Sequence, residues 1–229
     1  MATAPGRRRS AGFWAGLLLV LGSLSAMSWA GWQFYGTNVI AQGKHEQAIS
    51  DVRERWRAGV TVSERREGDV TAVLRIPRFG EDWEVPIIDS VSEEALAAGV
   101  GRFVDNASVG AVGNYALAAH RVTHGEPFRN LIDLVAGDEV VIETRSYVYT
   151  YVLDTGGSEN RVTFTDTWVL KDRPVELPGP RIITLTTCAE LFHTDDRLAV
   201  FGHLASKEVK PGTDRGPATT QGQEHVRGV

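Results

Sequence analysis

The chain of 229 residues contains a single cysteine, Cys188, and this scarcity excludes several kinds of site. One thiol cannot form an intramolecular disulfide, and it cannot supply a multi-thiolate metal centre or a CxxC redox pair. Two interpretations of Cys188 stay open: a small apolar residue of the core, or a reactive group. No cluster of carboxylates stands out either, so we expect no metal site and no cofactor.

Strong charge of one sign is also missing. The formal net charge is −5 and is spread along the chain. No block of lysine and arginine is interleaved with aromatic residues, as a surface that follows a nucleic-acid backbone would require. We therefore do not expect nucleic acid as a partner.

Asp, Glu, Lys, Arg and His are absent from position 10 to position 43, and this gap contains an apolar run at 13–35. The run is long enough to cross the hydrocarbon core of a membrane. Three arginines at 7–9 precede it, so the positive-inside rule predicts a single-pass protein with a cytoplasmic N-terminus and an extracytoplasmic remainder. A cleaved signal peptide is the competing interpretation, because Ser-Trp-Ala at 28–30 resembles a small-x-small cleavage site.

Composition divides the chain into five segments. They are a basic cytoplasmic N-terminus at 1–10, a transmembrane anchor at 11–36, a stalk at 37–69, a β-rich domain at 70–205 and a disordered polar tail at 206–229. Apolar residues at helical spacing predict that the stalk is a helix. This helix can be a solvated spacer, or its apolar side chains can pack against the domain or the lipid headgroups. We favour the spacer.

The domain at 70–205 is predicted to be all-β with short helices. Short runs rich in Val, Ile, Thr, Tyr and Trp alternate there with Gly, Pro and Asp, which is typical of many short strands. The predicted strands are 71–76, 83–87, 114–119, 139–144, 147–154, 162–165, 181–187 and 198–204. This number indicates a β-barrel or a β-sandwich.

Local signals add detail to this outline. The hairpin at 139–154 places three tyrosines, at 147, 149 and 151, on one face by the two-residue period of a strand. Ser92 is expected to cap a short helix at 92–96, and Pro127 to begin a helical turn through Leu131.

Three reactive side chains stand at the ends of predicted strands, namely Cys188, His120 and Arg197. If these ends share one rim, the thiolate can attack a carbonyl, the imidazole can carry the proton and the guanidinium can hold the oxyanion. The alternatives are a surface histidine and an arginine paired with Asp195 or Asp196.

The motifs around these residues resemble the sortase family. They are Ala-His-Arg at 119–121, Gly-Glu-Pro-Phe-Arg-Asn-Leu at 125–131, Ala-Gly-Asp-Glu at 136–139 and Thr-Leu-Thr-Thr-Cys at 184–188. Together they are similar to the actinobacterial class E branch, and the resemblance covers about residues 72–204.

The resemblance implies a closed eight-stranded sortase-type barrel at 70–205 behind an N-terminal transmembrane helix. It implies a cysteine transpeptidase with Cys188 as nucleophile, His120 as general acid/base and Arg197 as the group that holds the oxyanion and positions the substrate. Its substrates are secreted proteins with a C-terminal sorting signal similar to LAXTG or LPXTG, cleaved between Thr and Gly through a thioacyl enzyme. The acceptor amine belongs to a lipid II-like peptidoglycan precursor or, in the alternative, to a pilin lysine.

Two positions depart from the branch pattern. Ala119 stands where glycine is common, and Ala189-Glu190 replaces a more usual His-Pro pair. Because residues beside a thiol shape its groove, we expect Ala119, Thr187 and Glu190 to contribute to substrate binding. For Thr187 a structural hydroxyl within the strand is an equally good interpretation.

Other classes of protein stay open as alternatives. A cysteine hydrolase or an L,D-transpeptidase-like enzyme also pairs one cysteine with one histidine, although the latter usually surrounds its cysteine with Ser, His and Gly. A membrane-anchored β-domain for adhesion or assembly, with Cys188 buried and inert, is the non-enzymatic alternative.

Overall fold

The computed structural model describes residues 11–32, 37–59, 68–188 and 195–211. Parts of several predictions fall outside these ranges: the segment 1–10, the end of the anchor at 33–36, part of the stalk at 60–67, Glu190, and the tail from 212 onward. The helices within the described ranges are α1 (Ala11–Gly31), α2 (Thr37–Arg57) and α3 (Glu93–Ala98). The strands are β1 (Val70–Arg75), β2 (Glu84–Ile88), β3 (Val100–Arg102), β4 (Gly113–Ala118), β5 (Glu139–Glu143), β6 (Tyr147–Leu153), β7 (Asn160–Thr163), β8 (Arg181–Cys188) and β9 (Asp196–Val209).

Eight of these strands form a closed barrel, as the resemblance implied. They follow the order β6-β5-β1-β2-β3-β4-β8-β9, and β6 pairs with β9 to complete the ring. The strand β7 pairs with the first residues of β9, beside the stretch that pairs with β6. The pairs β2–β3 and β4–β8 are parallel and the others are antiparallel.

The barrel interior is filled by alternate residues of its strands. Tyr149 and Tyr151 lie in this core and Tyr147 packs against it, which confirms the shared face predicted for the hairpin. On β9 the residues Leu198 and Val200 point into the same core. Ala199 and Phe201 alternate with them and belong to a second cluster outside the barrel.

The short strand β3 was not predicted from the sequence. It has only three residues and its middle residue is Gly101, which carries no strand propensity. The glycine is required by close packing, since a Cβ at this position would lie 2.5 Å from the carbonyl oxygen of Ser90. The predicted cap of α3 is confirmed, because the Ser92 hydroxyl accepts a hydrogen bond from the Ala95 amide.

Two predicted boundaries need correction. The helical turn expected from Pro127 is an irregular series of turns, and the regular 3₁₀ turn is Leu131–Asp133. The polar tail was predicted to begin at residue 206, but β9 continues to Val209 because Ser206 to Val209 pair with β6. Backbone pairing with a neighbouring strand holds these residues although their sequence is polar.

The favoured interpretation of the stalk as a solvated spacer is wrong for α2. Ile49 and Val52 are each only 2% exposed and pack against Val73 of β1. The Arg53 guanidinium donates to both carboxylate oxygens of Glu84, at 2.9 and 2.7 Å, and to Glu143 at 2.6 Å. The helix α2 is therefore part of the folded domain.

The helix α1 has no such packing. Its stretch Gly12–Trp29 is long and apolar enough to cross a membrane, and none of it is buried within the protein. This is the one such helix in the described part of the chain. It provides a membrane-span candidate at the place where the sequence predicts the anchor.

We expect Arg53→Ala to destabilise the protein, because it leaves the half-buried Glu84 and the buried Glu143 without their shared partner. Hydrogen bonds to charged groups of this kind contribute about 2 kcal/mol together, which corresponds to a fall in Tm of roughly 4–8 °C. Thermal unfolding followed by circular dichroism measures the shift. Arg55→Ala, on the exposed face of the same helix, is the matched control, and an equal Tm for the two variants would contradict the docking of α2.

Candidate active site

Three neighbouring strands bring the predicted reactive positions into one row. In the antiparallel pair β8–β9, Cys188 lies directly opposite Arg197. In the parallel pair β4–β8 the last ladder partners are Ala118 and Thr186, and the Ala119 amide donates to the Thr186 carbonyl at 3.3 Å. His120 comes two residues after Ala118, and Cys188 comes two residues after Thr186, so both follow the end of the same ladder.

A side-chain hydrogen bond fixes this register. The Thr187 hydroxyl, 3% exposed, donates to the carbonyl oxygen of Ala119 at 2.8 Å. The bond joins the residue before Cys188 to the residue before His120. Of the two interpretations of Thr187, this contact favours the structural one, although Thr187 and Ala119 also line the adjoining groove.

The imidazole of His120 is half-buried and its Nε2 atom has no hydrogen-bond partner among the described residues. Burial lowers its pKa from the ordinary value of 6.5, and the nearby His124 lowers it further. The two rings lie 5.0 Å apart, centre to centre. Both effects favour the neutral form of the ring, which is the form that can accept a proton.

Arg197 occupies the opposite side of the row. Its Nη1 donates to the backbone carbonyl of Asp196 at 3.0 Å, whereas the Asp196 carboxylate accepts from Arg161 at 2.8 Å. On β9 it alternates with Leu198, so it lies on the face away from the barrel core. That face borders the groove next to Cys188.

The groove has a volume of about 390 Å³ and its walls are mainly apolar. The polar groups at its floor include His120, Arg197, Thr186 and Thr187. Its apolar walls come from α3, from the segment after β3 and from the stretch 162–170: Leu96, Phe103, Val162, Phe164, Val169 and Leu170. Apolar walls with a few polar groups are the usual composition of a ligand-binding site.

Sequence reasoning did not identify these groove walls. The residues are scattered apolar side chains in short elements and loops, and single apolar residues there carry no functional signal. It did select the row itself, since strand ends and motifs are local features. No group of three or more His, Cys, Asp or Glu residues suited to a metal ion occurs in the described ranges.

Comparison with known proteins agrees with the motifs. The Sortase domain family model matches residues 74–205, more than half of the chain. Sortase SrtE1 of Streptomyces coelicolor is 34% identical over 187 residues, which are 77% of this chain but 52% of that protein, so the chain spans about half the length of this relative. Sortase SrtE2 of the same organism is 29% identical over 237 residues, covering 93% of this chain and 91% of the relative.

Solved structures give the same result. Sortase E from Streptomyces avermitilis has a TM-score of 0.58 and 35% identity, over 65% of this chain and 99% of that chain. Sortase E1 from Streptomyces coelicolor, solved with a tripeptide in the active site, has a TM-score of 0.57 and 31% identity, over 66% and 99%.

The closed barrel and these matches show that the chain belongs to the sortase family. Within the family its relatives include enzymes of class E, the branch that its motifs resemble.

Removing the ring of His124 should raise the pKa of His120. His124→Ala takes away a neighbouring group that is positive when protonated, so the imidazolium form of His120 becomes less unfavourable. The pKa should rise toward 6.5 without reaching it, because burial, the larger cause, persists. A titration of the ¹³Cε1 chemical shift, with the resonance assigned by His120→Gln, measures this change.

The control for that titration is His203→Gln. His203 contacts Asp154 at 2.8 Å and does not touch His120, so the pKa of His120 should stay at its wild-type value. A pKa of His120 that is unchanged or lower in His124→Ala would contradict the coupling of the two rings.

Proposed function

We propose that this chain is a membrane-anchored sortase that cleaves a C-terminal sorting signal and transfers the released protein to an amine. The observation that carries the proposal is that Cys188 on β8 pairs with Arg197 on β9 while His120 follows the neighbouring strand β4, and that His120 and Arg197 both line an apolar groove. Because the chain spans about half of one relative, the activity of the whole protein is part of this proposal.

In the proposed first step the neutral His120 ring takes the thiol proton of Cys188, and the resulting thiolate attacks the carbonyl carbon of the threonine in the signal. The carbonyl π electrons move to oxygen, and the Arg197 guanidinium stabilises the resulting negative charge. Collapse of this tetrahedral species breaks the Thr–Gly bond. The imidazolium of His120 then protonates the leaving amine, and a thioacyl enzyme remains.

In the second step His120, now neutral, removes a proton from the acceptor amine. The amine attacks the thioester, a new amide bond forms and the Cys188 thiolate leaves. Burial of His120 supports this role, since a lowered pKa lets the ring give up its proton in the first step and be ready as a base in the second.

The substrate is a peptide segment of the LAXTG or LPXTG type. The apolar walls of the groove suit the leucine and the small side chain that follows it. The sortase E1 of Streptomyces coelicolor holds a tripeptide in its active site, which supports a peptide as occupant here. Ala119 adds a small side chain at the floor of the groove, and Glu190 stays a sequence-based prediction.

The proposed location is the outer face of the cell membrane. The apolar helix α1 supports a single span, and the arginines at 7–9 favour a cytoplasmic N-terminus. The substrates are then secreted proteins, and the acceptor is the amine of a lipid II-like cell-wall precursor. A pilin lysine is the second candidate acceptor.

The test uses fluorogenic peptides with Leu-Ala-x-Thr-Gly or Leu-Pro-x-Thr-Gly and an added amine. We expect cleavage and amine transfer by the wild type and none by Cys188→Ala or His120→Ala. Arg197→Ala should retain a trace, because one electrostatic donor contributes about 10²–10³-fold to the rate. Product masses distinguish transfer from simple hydrolysis.

Arg161→Ala is the matched control for Arg197→Ala. The substitution removes the same charge from β7, the strand beside β9, where Arg161 pairs with Leu198. Arg161 does not line the groove. Its activity should stay within about threefold of the wild type, as expected for an exposed ion pair. Cleavage that survives Cys188→Ala would overturn the mechanism.

A further inference from the structure

The loop that follows His120 contains three consecutive residues in the left-handed region of backbone conformation. His124, Gly125 and Glu126 have φ angles of 55°, 84° and 52°. Glycine adopts such angles without strain, but histidine and glutamate do so only where their surroundings hold them. Some contact outside the loop must therefore stabilise this conformation.

The contact comes from the first turn of α2. The Asn38 side chain makes two hydrogen bonds to the loop: its Oδ1 accepts from the Gly125 amide at 3.0 Å, and its Nδ2 donates to Glu126 Oε1 at 2.7 Å. The other oxygen of Glu126 accepts from Arg129. One amide side chain therefore satisfies the backbone at the centre of the left-handed segment and orients the carboxylate that follows it.

Packing supports the same contact. Ala41 and His45 follow Asn38 at helical spacing and are buried, at 4% and 5% exposure. A Cβ on Gly125 would lie 2.9 Å from His45 Cε1 and 3.4 Å from Ala41 Cβ, so the loop backbone lies directly on α2. A larger residue at position 125 would therefore collide with His45.

The loop in turn fixes His120 from two sides. The ring of His124 stands 5.0 Å from the ring of His120 with 30° between their planes. Beyond the left-handed segment, the Phe128 amide donates to the His120 carbonyl at 3.1 Å. A change in the φ angles at 124–126 would move both contacts.

We propose that Asn38 is a positioning residue for His120, acting from α2 through the left-handed segment 124–126. Asn38 lies before the region 74–205 that the Sortase domain model matches. The helix α2 therefore contributes to the active site without touching substrate. The expected effect on kcat rests on the proposed function. The coupling between Asn38 and the His120 loop rests only on the contacts described above.

The test is a double-mutant exchange in the full chain, reconstituted in lipid nanodiscs. Asn38→Ala removes both hydrogen bonds, and Asn38→Asp sets a carboxylate against that of Glu126. Asn38→Asp combined with Glu126→Gln restores both hydrogen bonds. One aspartate oxygen accepts from the Gly125 amide, as in the wild type, and the other accepts from the glutamine side chain, so that in this second bond donor and acceptor are exchanged. Val39→Ala, at a neighbouring position that is 69% exposed, is the matched control.

With the LAXTG peptide as probe, we expect Asn38→Ala to lower kcat about 10- to 100-fold and to change KM less than about threefold, because the loop orients His120 and does not line the groove. Asn38→Asp should be at least as impaired. The double variant should recover most of the activity, and Val39→Ala should match the wild type. A kcat of Asn38→Ala equal to that of the wild type, or a double variant no better than Asn38→Asp, overturns the proposal.

A second readout is independent of any peptide substrate. Cys188 is the only cysteine, so the rate of alkylation by iodoacetamide reports its thiolate alone. We expect the pH profile of this rate to shift in Asn38→Ala and to return in the double variant. If the wild type cleaves no peptide, the proposed function fails while the alkylation profile still decides the role of Asn38. Identical profiles for wild type and Asn38→Ala overturn that role.

Discussion

The parallel pairing of β4 with β8 is the constraint on which the site depends. The residues that it brings together, His120 and Cys188, are 68 positions apart in the chain. The ladder from Gly113 to Ala118 sets the register, and the hydrogen bond from the Thr187 hydroxyl to the Ala119 carbonyl extends it to the strand ends. A slip of one residue would move alternate side chains to the other face and separate the reactive groups.

The long strand β9 connects this site to the rest of the barrel. Its first residues pair with β7 and β8 beside the groove, and its last residues pair with β6 to close the ring. Arg197 therefore lies on an element that is hydrogen-bonded on both sides. Such an element holds a guanidinium at a fixed position, which an electrostatic role requires because a donor that must reorganise stabilises charge less well.

The helix α2 is held to the barrel domain at two places along its length. Its first turn contacts the loop after His120, and Arg53 near its other end binds Glu84 and Glu143. Asn38 follows Trp32, the last described residue beside α1, by six positions, and six extended residues span at most roughly 20 Å. The loop after His120 therefore contacts a residue that is close in sequence to the apolar helix α1.

The sequence by itself determined the local features of this protein. The two-residue period gave most strand positions, the uncharged run predicted the apolar helix, and the motifs at 119–121 and 184–188 selected His120 and Cys188. These features depend on neighbours within a few residues, so a single sequence displays them. The apolar spacing of the stalk left packing on the domain open as an alternative, but it gave no sign of the contact with the His120 loop, because Asn38, Ala41 and His45 are small or polar side chains.

Only the tertiary structure decided how those local features combine. The strand β3 exists because Gly101 allows the close approach of Ser90, and the end of β9 is ordered because β6 pairs with it. The left-handed conformation around Gly125 could not be predicted from neighbouring residues, because Asn38, which contacts Gly125 and Glu126, lies 87 and 88 positions away from them in the chain. Cys188 was recognisable from its motif, but its place in one row with His120 and Arg197 follows from pairing between distant strands, which no local pattern records.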